Sequence, residues 1–197
     1  MFSIVIQAGG SSRRMGSNKA LLPLRGRPMI EWVVKRVQLL SDELLIITNQ
    51  PEELAFLGIR LVADLMPGTG VLGGLYTALS CAQHELVAVV ACDMPFVNVK
   101  ILEAQRALLI SDEMLDVVIP QTASGLEPLH AVYRRKTCLP AVETALSLGQ
   151  RRMISWLPLV KARLFQPSEW SRYDPSGKAF FNLNTPDDLE RAIQLLE

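Results

Sequence analysis

Short apolar runs separated by longer amphipathic stretches set the pattern of the first two thirds of the chain. Runs with little polar alternation, as in strands buried on both faces of a sheet, are Phe2–Ile6, Leu44–Thr48, Arg60–Ala63, Leu86–Ala91 and Asp116–Pro120. Helices are predicted between them, over residues 29–40, from Pro51, and over Leu72–Ala82 and Val99–Ile110. In the first of these, apolar residues recur at spacings of three and four. Buried strands joined by helices predict an α/β fold, a doubly wound and mostly parallel sheet with helices on both faces.

The pattern is weaker after Pro120. Two strands and two helices are predicted there, at Leu129–Tyr133, Arg163–Phe165, Leu139–Leu148 and Leu189–Leu196. The residues 185–188, Thr-Pro-Asp-Asp, favour a helix start, because Thr caps well and Pro suits the first helical position. Gln166–Gly177 is predicted to be a surface loop. A chain of 197 residues suits one domain, residues 1–197.

Composition and charge exclude several classes of protein. Hydrophobic residues make up 49% of the chain, which argues against disorder. Lys and Arg number 20, as do Asp and Glu, so there is no basic excess for nucleic acid or a membrane surface. The first residues lack the basic and long apolar segments of a signal peptide. The three cysteines form no CxxC pair and are predicted to be core residues of a cytoplasmic protein.

The loop after the first predicted strand is rich in glycine, serine and cations. It reads Ala8-Gly9-Gly10-Ser11-Ser12-Arg13-Arg14-Met15-Gly16-Ser17-Asn18-Lys19. Glycines let backbone N–H groups approach a phosphate, and Arg14 and Lys19 can neutralise charge on a triphosphate and on departing pyrophosphate. The loop is not a Walker motif, because Ser17 follows Gly16 where that motif needs Lys. The alternative is a flexible basic turn. The preceding strand, the glycines and the spaced cations together favour a phosphate-binding site, which we expect here.

A second glycine-rich loop offers a competing interpretation. Gly68–Gly73 fits GxGxxG and opens a predicted helix, as in dinucleotide-binding proteins. However, residues 64–67 separate the glycines from the preceding strand, whereas the dinucleotide-binding motif has a tight turn directly after its strand. The acidic partner about twenty residues on would be Glu85, which precedes a strand instead of ending one. An NAD-dependent oxidoreductase is therefore the weaker alternative.

Two further segments carry oxygen ligands. Asp93 follows the most hydrophobic predicted strand, where a carboxylate can bind a divalent cation together with phosphate oxygens. Asn182 and Asn184 are two residues apart, so both face one side of an extended segment. They could complete a metal or acceptor site. The alternatives are that Asp93 caps a turn and that Asn184 assists the cap of the last helix.

Taken together and in this order, these segments resemble the molybdenum cofactor guanylyltransferases. That family joins GMP from GTP to the terminal phosphate of Mo-molybdopterin and releases pyrophosphate. The similar segments are residues 8–22, residues 26–30, Asp64 with residues 67–75, Asp93, and residues 181–186. Gln7 stands where the family usually has Leu. The resemblance implies a Rossmann-like nucleotidyltransferase fold whose nucleotide-binding part covers about residues 1–120 and whose acceptor-binding part covers about residues 121–197.

The resemblance also implies roles for individual residues. The nucleotide-binding residues would be Ala8, Gly9, Gly10, Lys19, Asn49, Asp64 and Asp93. Arg14, Lys19 and Asp93 would be catalytic, and Asp93 would hold Mg²⁺. Asn182 and Asn184 would face the acceptor. GTP and Mo-molybdopterin are the implied substrates, and molybdoenzymes or other proteins of cofactor biosynthesis are the implied physical partners.

Two other functions stay open at this point, besides the NAD-dependent oxidoreductase. A molybdopterin cytidylyltransferase, or another NTP transferase of the same fold, would use the same chemistry with a different base. Relatives that use CTP tend to have Ala where this chain has Gly9, which favours GTP. A non-catalytic nucleotide-binding module would bind the nucleotide without releasing pyrophosphate.

Overall fold

A computed structural model of the chain describes residues 1–9 and 18–196. Its strands are β1 (Phe2–Gln7), β2 (Pro23–Leu24), β3 (Arg27–Pro28), β4 (Glu43–Ile47), β5 (Arg60–Val62), β6 (Leu86–Ala91), β7 (Val117–Thr122), β8 (Gly125–Leu126), β9 (His130–Arg134) and β10 (Ala162–Phe165). Its α-helices are α1 (Met29–Val37), α2 (Pro51–Leu54), α3 (Val71–Cys81), α4 (Val99–Ser111), α5 (Arg135–Ser147), α6 (Pro167–Trp170) and α7 (Pro186–Leu195). None of the helices described here is long and apolar enough to cross a membrane.

The main sheet has the strand order β10-β7-β9-β6-β1-β4-β5, with β8 paired to β7. Strands β6, β1, β4 and β5 are parallel, and β10 is parallel to β7. Strand β9 is antiparallel to both β6 and β7, between which it lies. The predicted α/β fold with a mostly parallel sheet is confirmed. The sequence pattern could not indicate the direction of β9, because burial on both faces gives the same apolar run either way.

Alternating side chains of the strands pack into two separate hydrophobic cores, one on each face of the sheet. In β1, Phe2, Ile4 and Ile6 belong to the core on one face, which α1 and α4 cover. Val5 belongs to the core on the opposite face, which α3 and α5 cover. Side chains of successive strand residues point to opposite faces, so this division explains why the strands are apolar throughout.

The structure corrects several predicted boundaries. Helix α5 begins at Arg135, four residues before the predicted start, and it contains Pro140. The segment predicted to be a loop, Gln166–Gly177, contains the short helix α6. The hairpin of β2 and β3 was not predicted; its turn holds Arg25 and Gly26 at φ of 50° and 76°.

The last helix closes a small third core. Leu183 and Ala192 pack there with Leu24, Met29 and Phe96. As predicted, Thr185 caps α7 and Pro186 is its first residue, and the Thr185 side chain accepts a hydrogen bond from Asp188 N. This packing brings the end of the chain against the loop that follows β6.

Candidate active site

The candidate site lies where the direction of strand connection reverses. The chain runs from β1 to β4 and β5 on one side, and α3 then leads to β6 on the other side of β1. In open parallel sheets, ligands bind at such a switch point, beyond the carboxyl ends of the strands. Asp93 follows β6 here, Ala8 and Gly9 follow β1, and Asn49 and Asp64 follow β4 and β5. Because these strands are parallel neighbours, all of these residues lie at one edge of the sheet.

Three of the predicted site residues are in direct contact. The Lys19 ammonium donates a hydrogen bond to Asp93 Oδ2 at 2.6 Å and another to Asn184 Oδ1 at 2.8 Å. The side chains of Lys19 and Asp93 are 19% and 20% exposed, so the ion pair is partly shielded from water. Asp93 and Asn184 therefore orient the charge of Lys19, although they lie 74 and 165 positions after it in the sequence.

Further hydrogen bonds hold each member of this cluster. Lys19 begins a 3-10 turn that is capped by Asn18, whose own amide donates to Glu53. The Asp93 carbonyl accepts from Leu183 N at 2.9 Å, which ties the loop after β6 to the segment that carries Asn184. The backbone N–H of Asn184 donates to Asp188 Oδ2 at 2.9 Å.

A second group of contacts lies at the ends of β4 and β5. The Asn49 side-chain oxygen accepts from Asp64 N at 3.3 Å. Asp64 Oδ1 accepts from Met66 N at 3.0 Å and from the Thr77 hydroxyl at 2.9 Å. Thr77 is buried on α3, and its oxygen also accepts from Leu65 N. Helix α3 therefore fixes the loop that carries Asp64.

The other predicted site residues are placed less directly. The backbone N–H of Ala8 donates to Ile47 O at 2.8 Å, so it is not free for a phosphate. That Ala8 binds the nucleotide stays a prediction. Gly9 is exposed, and a Cβ on it would lie 4.0 Å from Ile47 O, the nearest described atom. Gly10 and Arg14 lie outside the described residues.

Asn182 lies in the same segment as Asn184, but its side chain makes a different hydrogen bond. Its side-chain nitrogen donates to Phe180 O at 3.2 Å. Leu183 between them is fully buried, as the predicted alternation requires. Asn184 therefore reaches the Lys19–Asp93 pair, whereas the bonds of Asn182 in the described part of the chain are local.

Sequence reasoning missed two residues that hold this site. Thr77 lies within a helix that shows only an apolar pattern, so nothing marked its hydroxyl. Asp188 was predicted only as part of the cap of α7, and the threonine-to-acid spacing of a capping box is the signal that could have drawn attention to it. Bonds from backbone N–H groups, chiefly that of Asn184, lower the pKa of Asp188, so it stays charged.

Comparison with known proteins places this geometry in a family. Residues 4–163 match the family model of the MobA-like NTP transferase domain. The chain belongs to this family. A Pelotomaculum thermopropionicum protein named "probable molybdenum cofactor guanylyltransferase" is 38% identical, over 98% of this chain and 92% of its own. A protein of the same name from Carboxydothermus hydrogenoformans is 36% identical, over 98% of this chain and 95% of its own.

A solved structure agrees with these relatives. The crystal structure of molybdopterin-guanine dinucleotide biosynthesis protein A from Archaeoglobus fulgidus has a TM-score of 0.86 to this chain. The two are 28% identical, and the match covers 98% of each chain. The resemblance to molybdenum cofactor guanylyltransferases predicted from the sequence is therefore confirmed.

NTP transferases typically use a divalent metal, and such an ion would need oxygen ligands from the residues of this site. Lys19 donates to Oδ2 of Asp93 and to the amide oxygen of Asn184, so Oδ1 of Asp93 is the oxygen of this carboxylate that Lys19 does not bond. No group of three His, Cys, Asp or Glu residues that could hold a metal occurs among residues 1–9 and 18–196. Mg²⁺ needs only one or two protein carboxylates when phosphate oxygens supply other ligands. The oxygen donors present fit such a shared site.

Other titratable groups near the sheet are not suited to chemistry. His130 is fully buried and its Nε2 accepts from Asn98 N at 3.1 Å. Burial lowers the pKa of His130 to about 4, so it is neutral at pH 7. Burial raises the pKa of the Cys92 thiol to about 12, so this thiol is inert although it precedes Asp93. These residues behave as core residues of the MobA-like domain.

Proposed function

We propose that this protein transfers GMP from GTP to Mo-molybdopterin, forming Mo-molybdopterin guanine dinucleotide and pyrophosphate. The observation that carries the proposal is the Lys19 ammonium held between Asp93 and Asn184 at the switch point of the sheet. This cluster provides a fixed positive charge beside a carboxylate, as phosphoryl transfer requires. The names of the full-length relatives from Pelotomaculum and Carboxydothermus support the donor and the acceptor.

The site divides into a donor side and an acceptor side. Asn49 and Asp64, at the ends of β4 and β5, provide polar contacts for the nucleoside of GTP. Lys19 and Asp93 are assigned to the phosphates, together with Gly9 and Gly10 of the loop that follows β1. Asn182 and Asn184 face the acceptor. This division corresponds to a nucleotide-binding part of about residues 1–120 and an acceptor-binding part of about residues 121–197.

In the proposed reaction the terminal phosphate of the acceptor attacks the α-phosphorus of GTP in line. A new P–O bond forms, and the bond between the α-phosphorus and its bridging oxygen to the β-phosphate breaks, so pyrophosphate leaves with that electron pair. The acceptor phosphate is already anionic and needs no general base. Positioning and charge neutralisation therefore supply the acceleration. Lys19 and Arg14 neutralise the charge that develops on the phosphates.

Asp93 is the residue proposed to hold Mg²⁺, and the amide oxygen of Asn184 shares the same Lys19 ammonium with it. Bound there, the ion would polarise the phosphate oxygens and neutralise their charge. The free thiols of Cys81, Cys92 and Cys138 support a reducing compartment such as the cytoplasm. Molybdoenzymes and other proteins of cofactor biosynthesis are proposed as physical partners.

The test is pyrophosphate release from GTP, CTP, ATP and UTP, each with Mg²⁺ and with or without Mo-molybdopterin. We expect release from GTP only when the acceptor is present. Preference for CTP would keep the chemistry and identify a cytidylyltransferase. Binding of a nucleotide without release from any donor would identify a non-catalytic module and reject the proposal.

A further inference from the structure

Gln7 is a buried polar residue between the two halves of the site. It is the last residue of β1, and its register partners are Ile47 on β4 and Ala91 on β6. Two residues beyond each partner lie Asn49 and Asp93. Only 9% of the Gln7 surface is exposed. The proposed mechanism gives this side chain no role.

The Gln7 side chain lies on the face of the sheet that α3 covers. A Cβ on Gly74 would come within 2.7 Å of Gln7 Oε1 and 3.2 Å of Nε2, so the amide packs directly on the first turns of α3. Thr77 follows Gly74 by three residues, which places both on the same side of the helix. Because Thr77 bonds to Asp64, the part of α3 against which the Gln7 amide packs also holds the loop proposed to contact the nucleoside.

The amide nitrogen of Gln7 is buried and has no hydrogen-bond partner within the described chain. Buried polar groups are nearly always paired, and an unpaired one destabilises the protein, so such a group points to a ligand or to a role in the reaction. An apolar side chain would fill the same space without this penalty. The position therefore holds an amide nitrogen that the described residues around it do not satisfy.

We propose that the Gln7 carboxamide recognises the base of the donor nucleotide at the lactam edge of guanine. This inference rests on the proposed function. A carboxamide carries an N–H donor and a C=O acceptor in one plane. Guanine presents the complementary pair, a C6 carbonyl that accepts and an N1–H that donates. Two parallel hydrogen bonds then satisfy Nε2 and fix the base between Asp64 and the end of β1.

Gly74 makes this arrangement possible. Its missing Cβ leaves the space that the Gln7 amide occupies, since alanine there would approach the amide more closely than real contacts allow. Gly74→Ala should therefore move the amide and weaken base recognition even though residue 74 need not touch the base. If Gln7 is first replaced by alanine, Gly74→Ala should have little further effect on recognition.

The experiment compares the dissociation constants of GTP and 2-aminopurine riboside triphosphate by calorimetry, with Mg²⁺ and without acceptor. The second nucleotide lacks both the C6 carbonyl and the N1 proton. In the unaltered protein GTP should bind more tightly, and Gln7→Leu should reduce that preference by about tenfold. Gln105→Leu is the matched control, because Gln105 is also buried with one unpartnered amide atom but lies on α4. It should leave the preference unchanged.

The outcomes separate this inference from the proposed function. A preference that Gln7→Leu leaves within twofold, or that Gln105→Leu reduces equally, would overturn the role of Gln7. If Gly74→Ala still weakens base recognition when Gln7 has been replaced by alanine, the role of Gln7 is also rejected. Failure to release pyrophosphate with acceptor, while the binding preference still depends on Gln7, would reject the transfer reaction and leave base recognition standing.

Discussion

At the scale of single residues, the site depends on how one ammonium group is held. A lysine side chain in water samples many rotamers, and ordering it has an entropic cost. Here Asp93 and Asn184 accept from Lys19 at 2.6 and 2.8 Å, so the charge has a defined position before any phosphate arrives. Donors that are already oriented toward developing charge need no reorganisation during the reaction.

Replacing Asp93 with alanine removes both the proposed metal ligand and the anchor of Lys19. We expect Asp93→Ala to lower kcat by about a hundredfold or more. The measurement is steady-state pyrophosphate release with saturating GTP, acceptor and Mg²⁺. Glu113→Ala, which changes an exposed acid in the turn between α4 and β7, is the control. Near-normal Mg²⁺-dependent turnover of Asp93→Ala would refute the role of this residue.

Replacing Lys19 tests the phosphate contact separately. We expect Lys19→Ala to raise the Kd of GTP by about tenfold, because one charge-assisted hydrogen bond to the triphosphate is lost. GMP, which lacks the β- and γ-phosphates, should be affected much less. Titration calorimetry with both nucleotides measures the difference, with Lys100→Ala as an exposed control on α4. Equal effects on GTP and GMP would show that Lys19 does not bind the triphosphate.

At the scale of elements, helix α7 does more than close a core. Its capping box joins Thr185 and Asp188 reciprocally, and the same Asp188 carboxylate also accepts from the backbone of Asn184. The start of the helix therefore sets the position of a residue that contacts Lys19. A cap is ordinarily a local stabilising device, and here it also positions part of the site.

Two substitutions can separate these effects of the cap. Thr185→Ala and Asp188→Ala each remove one arm of the capping box and should lower the free energy of unfolding by about 1 kcal/mol. Only Asp188→Ala also frees the backbone of Asn184, so only this variant should reduce turnover strongly, by about tenfold. Urea denaturation and pyrophosphate release measure the two quantities. Equal turnover of the two variants would mean that the cap acts on stability alone.

Sequence patterns predicted the elements that bury many residues and missed those that bury few. The run Leu86–Ala91 was predicted with its observed bounds, because six consecutive apolar residues have few alternatives to a buried strand. Strands β2 and β3 have two residues each, too few for a periodic pattern. Proline is ordinarily unfavourable inside a helix, yet α5 continues through Pro140, and its packing against α3 stabilises it there.

At the scale of the whole molecule, His130 links stability to pH. Its folded pKa of about 4 lies below the ordinary 6.5, so the unfolded chain binds more protons between these values. Stability should therefore be highest above about pH 6.5 and fall by about 1.4 kcal/mol per pH unit as the pH drops toward 4. Protonation of Nε2 would also break the hydrogen bond from Asn98 N.

Chemical denaturation at pH 7 and pH 5 tests this linkage. The His130→Gln variant should lose most of the pH dependence in this window, so the difference between the two proteins isolates this residue from the carboxylates. His84→Gln, at the half-buried second histidine, should keep the full slope. Identical slopes for the unaltered protein and His130→Gln would show that another group is responsible.

The site as a whole was predictable only in part. Asp93, Asn49 and Asp64 follow apolar strands, so a parallel sheet brings them to one edge without further information. The contact of Asn184 with Lys19 spans 165 residues, and no local pattern encodes it; the family resemblance implied only that Asn184 faces the acceptor. The bonded Ala8 amide and the unsatisfied Gln7 amide depend on the strand register, which the sequence does not specify.

The central place of β1 has a consequence for how the protein is made. A ribosome produces β1 early, but its two neighbours in the sheet, β4 and β6, begin only at residues 43 and 86. The first strand therefore waits for its first partner while about a fifth of the chain emerges, and for its second partner until more than two fifths has emerged. Asn184 arrives much later still. Transfer chemistry is thus among the last properties that the growing polypeptide acquires. A nascent chain can form much of the nucleotide side well before it can complete the cluster around Lys19.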